Sequence, residues 1–72
     1  KLYKEAIADY SALLQIAPNM VNVYQNRALC YENLQMYELA IIDYQQVSKL
    51  GAGSNAIDKR IQKLQSFLNQ KK

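Results

Sequence analysis

The stretch Tyr3-Lys4-Glu5-Ala6-Ile7-Ala8-Asp9-Tyr10 returns 34 positions later as Tyr37-Glu38-Leu39-Ala40-Ile41-Ile42-Asp43-Tyr44, with five of the eight residues identical. The register continues through Leu13 against Val47 and Ile16 against Leu50. Two unrelated amphipathic helices share a 3.6-residue period but not the same residue types, so an internal duplication accounts for the match. Working outward, residues 2–17 carry Tyr3, Ala6, Ile7, Tyr10, Leu13, Leu14 and Ala17 as a broad helical stripe that Pro18-Asn19 closes. Residues 21–34 and 37–50 read as a second and third helix joined by a tight turn at Gln35-Met36, an antiparallel hairpin. Gly51 and Gly53 end it. Ser54 or Asn55 then caps a fourth helix over 54–70, whose apolar positions Ile57, Ile61, Leu64 and Leu68 follow helical spacing. Asp58 in its first turn and Lys71-Lys72 near its end suit the helix dipole. The expected class is all-α, one domain over 1–72, with half of the 72 residues apolar and a single small core.

A 34-residue period with this content resembles the tetratricopeptide repeat, whose pattern runs Trp-x2-Leu-Gly-x2-Tyr, then Ala-x3-Phe, then Pro. The complete copy, expected over 20–52, reads Tyr24-x2-Arg27-Ala28-x2-Tyr31 and Ala40-x3-Tyr44. The preceding half copy supplies Ala6-x3-Tyr10 and keeps its proline, Pro18. Arg27, in place of the usual leucine, and Ala52, in place of proline, depart from the pattern. Small Ala28 and Ala40 allow two backbones to approach, while Tyr24, Tyr31, Tyr37 and Tyr44 fill the space between helices. The resemblance implies antiparallel helix hairpins of an α-α superhelix, about four helices in this chain. The fourth helix has Asp58, Gln62 and Gln65 where the complete copy has Tyr24, Ala28 and Tyr31, so it reads as a polar cap closing the array. The first helix reads as the second half of a repeat, with a partly exposed apolar stripe through which the chain is expected to self-associate.

Function is expected to be binding. No histidine is present, which removes the usual base near neutral pH and the commonest metal ligand. The acidic residues are scattered singly, so no catalytic pair and no metal or cofactor site is expected, and Asp9 and Asp43 read as solvated surface acids. Cys30 rules out an internal disulfide and reads as a buried structural thiol. Gly51-Ala52-Gly53 is not a phosphate loop. Net charge is +3, concentrated after Ser54, where five cations face Asp58 alone. That footprint is small beside dedicated nucleic-acid binders, so no nucleic acid is expected. Apolar runs fall far short of the roughly 20 residues that span a bilayer, and the expected location is the cytoplasm.

In proteins that resemble this chain, the first helix of each repeat lines a concave groove. That points to Asn22, Gln25, Asn26, Leu29 and Asn33 as contacts for a protein or peptide partner: amides suit a peptide backbone, and Leu29 offers an apolar contact. Asn26-Arg27-Ala28-Leu29-Cys30-Tyr31 also resembles the Asn-Arg-Ala-x-x-Tyr segment of the carboxylate-clamp subgroup. That likeness implies an acidic C-terminal chaperone peptide held by Asn26 with a Lys-x-x-x-Arg pair. Arg60 fits the arginine, Ala56 replaces the lysine, and Lys59 and Lys63 stand within a turn to share the charge. A purely architectural end-cap or spacer is the competing reading.

Overall fold

The computed structural model describes residues 2–70, so the pairing of Lys71-Lys72 with the helix dipole lies outside the described residues. Four α-helices follow in order: α1 (Tyr3–Ile16), α2 (Val21–Asn33), α3 (Tyr37–Val47) and α4 (Asn55–Asn69). No strand occurs among the described residues, and the all-α class expected from the duplication is the one observed. Helix α2 packs on both α1 and α3, and α3 on α4, so sequence neighbours are spatial neighbours throughout. None of these helices is long and apolar enough to cross a membrane.

Local chemistry sets each boundary. Ala17, directly before Pro18, leaves helical geometry at ψ 83° because the proline ring disfavours the helical region for its predecessor. The Tyr24 hydroxyl donates to the Pro18 carbonyl at 2.9 Å and ties this turn to α2. Helix α2 closes with a Schellman motif: the Met36 amide donates to the Tyr31 carbonyl at 2.8 Å and the Gln35 amide to the Glu32 carbonyl at 2.9 Å. Gln35 occupies the left-handed position, at φ 59°, where glycine is usual. Helix α3 ends at Val47 rather than at residue 50. Ser48–Ala52 form a wider π-type turn in which Gly51 adopts φ 88°. Gly53 follows with its α-carbon so close that a Cβ there would stand 2.8 Å from the Ser48 hydroxyl. Ser54 caps α4, its side chain accepting from the Ile57 amide at 3.3 Å.

The core is the two-helix crossing that the small residues permit. Ala28 and Ala40 are fully buried, with Ile41, Tyr44 and Val47 from α3 and Ile57 and Leu64 from α4. Tyr24, Tyr31, Tyr37, Ile61, Phe67 and Leu68 pack against this cluster, and the Tyr37 and Phe67 rings meet at a centroid distance of 5.2 Å. Leu14, Val23 and Cys30 are also buried. Burial pushes the Cys30 thiol above its ordinary pKa, which leaves it a weak nucleophile. The apolar stripe on α1 is partly exposed: Leu14 is buried, but Leu13 is 43% exposed, whereas Val47, its equivalent in the duplication, is 0% exposed.

One expectation is overturned. Asp43 is not a solvated acid; it is 2% exposed and accepts from Arg27 through both oxygens, from Nε and Nη2, each at 2.8 Å. Arg27 Nη1 also donates to the Ser11 hydroxyl at 3.0 Å, and the guanidinium lies 5.8 Å from the Tyr24 and Tyr31 ring centres. The hydrogen bond to Asp43, opposed by burial, holds the Arg27 pKa above its ordinary value. The arginine that breaks the repeat pattern is therefore a tie between three helices.

Candidate functional site

The residues expected to line a groove from α2 recur at helical spacing, Gln25 to Leu29 being one turn. Across from them, Ala56 and Arg60 are one turn apart on α4. Gln25, Asn26 and Leu29 from α2 and Ala56, Ile57 and Arg60 from α4 line one recess of about 180 Å³, with Tyr44 of α3 between the two walls. Ala56 contributes only a methyl group to this lining. Its chemistry is mixed, with two amides, one guanidinium, an exposed leucine and the buried floor of Tyr44 and Ile57.

Four of the eight residues expected at the site therefore converge: Gln25, Asn26, Leu29 and Arg60. The other four are exposed but do not line the recess. Asn22 sits at the start of α2, one turn before Gln25 and Asn26. Asn33 turns its amide back on its own helix, donating to the Leu29 carbonyl at 2.8 Å. Lys63 places its ammonium 6.0 Å from the Phe67 ring centre, and Lys59 is solvated.

Glu32, which was not among the expected residues, controls the electrostatics here. Tyr44 Oη donates to its Oε2 at 2.5 Å, and Arg60 Nη1 donates to its Oε1 at 3.4 Å. Burial first, and the hydrogen bond to Glu32 second, push the Tyr44 phenol well above its ordinary pKa, so it stays a donor at all ordinary pH. The signal for Glu32 was in the sequence: it follows Gln25 by seven residues and Leu29 by three, the same helical stripe. Its partners were not, being 12 and 28 residues away on other helices.

A larger hollow of about 510 Å³ lies at the α2–α3 turn, lined by Gln35, Met36, Tyr37, Glu38, Leu39 and Leu68. It gathers only one charged group and none of the expected residues, so size alone does not make it the better site. Among the described residues there is no group of three or more potential metal ligands.

The tetratricopeptide repeat family model matches residues 21–50, the α2–α3 hairpin and the start of the turn after it. Human sperm-associated antigen 1 is 41% identical over 54 residues, 75% of this chain and 6% of that protein. Its mouse counterpart is 40% identical over 50 residues, 69% of this chain and 6% of that protein. Bovine DnaJ homolog subfamily C member 3 is 35% identical over 66 residues, 92% of this chain and 13% of that protein. The chain thus spans a small part of the length of these relatives. No solved structure matches it. The duplicated helices, the Ala28–Ala40 crossing and the matched repeat agree: the chain belongs to the tetratricopeptide repeat family.

Proposed function

We propose that the recess between α2 and α4 holds an extended segment of a partner polypeptide. The family is one of protein–protein interaction modules. The observation that carries the proposal for this chain is the convergence of Gln25, Asn26, Leu29 and Arg60 on one concave surface. Amide side chains there can donate to and accept from a peptide backbone, and Leu29 with the Ile57 floor takes an apolar side chain. A second reading, the carboxylate clamp, is favoured by Asn26 and Arg60 sharing the recess, and weighed down by Ala56 at the lysine position. Helix α4 leaves Asp58, Gln62 and Gln65 exposed, which supports its reading as the polar cap of the array.

The test is a titration of the isotopically labelled chain with two peptides of equal length. One ends in acidic residues with a free carboxylate; the other is neutral and amidated. Shifts confined to Gln25, Asn26, Leu29, Ala56 and Arg60 are expected, and loss of binding on Leu29→Glu. Shifts elsewhere only, or none at millimolar peptide, would remove this recess as the site. Preference for the free carboxylate would favour the clamp, and equal binding would dismiss it.

A further inference from the structure

Arg60 looks like an anion receptor, yet it already has an anion. The Glu32 carboxylate stands beside the recess and touches two of its lining residues, Tyr44 and Arg60. The two contacts are unequal. Toward Tyr44 the carboxylate is fixed: the donor is 3% exposed, sits in the core cluster and reaches Oε2 at 2.5 Å. Toward Arg60 it makes one long contact, 3.4 Å from Nη1, and the arginine side chain is 43% exposed against 17% for Glu32. The carboxylate is thus part of the frame, and the guanidinium is the movable member.

This asymmetry has a consequence for ligands. If Arg60 swings to meet an incoming group, Glu32 stays, held by a buried hydroxyl. An acidic group arriving at Arg60 therefore meets a fixed negative charge within a few ångströms, in a recess partly screened from water where like charges repel more strongly than in bulk solvent. A neutral backbone carbonyl can accept from the remaining donors of Arg60 without that opposition, because a guanidinium presents five N–H groups in a fork. We propose that Glu32 is the specificity-determining residue of the recess, an internal carboxylate that occupies Arg60 and selects against acidic ligand groups in favour of neutral hydrogen-bonding ones. The inference rests on the reading of the recess as the binding site and decides between the two ligand classes left open there.

Glu32→Gln tests it, because glutamine keeps an oxygen for the Tyr44 hydroxyl and removes only the charge. The acidic free-carboxylate peptide and the neutral amidated peptide are titrated into the original chain, Glu32→Gln, and the double variant Glu32→Gln with Arg60→Gln, at low and high salt. Glu32→Gln is expected to bind the acidic peptide about three- to fivefold more tightly, the scale of an exposed ion pair, while the neutral peptide changes less than twofold. The gain should vanish in the double variant and shrink at high salt. Far-ultraviolet circular dichroism and the amide spectrum verify that each variant is folded. If the original chain binds peptide and Glu32→Gln shows no gain for the acidic one, the inference is overturned while the recess stands. If the gain survives without Arg60, it does not act through the guanidinium and the inference is overturned as well. If no chain binds either peptide, the recess reading fails and this inference with it.

Discussion

Removing the Asp43 carboxylate, by Asp43→Ala, should be among the most damaging single changes to this chain. The variant leaves a guanidinium that has lost two 2.8 Å charge-assisted hydrogen bonds and retains only Ser11. Breaking a buried pair from one side costs about 3–5 kcal/mol, chiefly because the surviving charge is stranded. The Arg27 side chain is 19% exposed and can recover some hydration, which places the cost near the lower end, about 3 kcal/mol. At about 0.05–0.15 kcal/mol per residue, a chain of 72 residues is stable by roughly 4–11 kcal/mol, so this loss is a large fraction of the whole. The midpoint should fall by about 12–24 °C. Arg27→Leu alone should cost a similar amount, since it strands a carboxylate on α3 that is more deeply buried still.

The double variant separates this account from simple loss of contacts. Arg27→Leu with Asp43→Ala removes both charges, places the repeat pattern's usual leucine at position 27, and should recover to within about 1 kcal/mol of the original chain. The coupling between the two positions should then be about 5 kcal/mol, measured by urea denaturation followed by circular dichroism, with m-values compared to confirm two-state behaviour. Additive losses in the double variant, or a single-variant cost below about 1 kcal/mol, would refute the reasoning.

Three further outcomes are expected. Gln35→Gly should stabilise the chain by about 0.5–1 kcal/mol, because relief of the left-handed backbone at φ 59° outweighs the added freedom of glycine when unfolded; a lower urea midpoint would contradict it. Tyr44→Phe should flatten the alkaline limb of stability. The folded-state pKa is raised, so the contribution is complete below about pH 10 and is lost above it at about 1.4 kcal/mol per pH unit, and an unchanged alkaline slope in the variant would count against the assignment. Leu13→Glu should suppress concentration-dependent self-association in sedimentation experiments, since Leu13 and Ile16 are exposed on α1; a strictly monomeric parent chain at millimolar concentration would sink this expectation.

The likeness to the repeat pattern made the small buried positions Ala28 and Ala40 legible, and the duplication made the helices so, because both follow from residue type at fixed spacing. The duplication misled at Asp43 for the same reason. Asp9 and Asp43 match in sequence, and the match suggested one environment for both, a solvated surface. Yet Asp9 is exposed and Asp43 is buried, just as Leu13 is exposed where Val47 is covered. The difference lies in the neighbours: α3 packs between α2 and α4, whereas α1 packs chiefly on α2. Arg27 carried the missing signal, since a charged residue at a core position demands a partner, and the acid 16 residues on was the one able to reach it across a hairpin. The same limit applies at the recess. Helical spacing put Gln25, Asn26 and Leu29 on one face, but no spacing within α2 could tell that Arg60 would lean on Glu32, because that contact depends on how α4 crosses the hairpin. In a repeat fold, position within the motif decides which way a side chain points, while the number of flanking helices decides whether it meets water, a partner or an opposite charge.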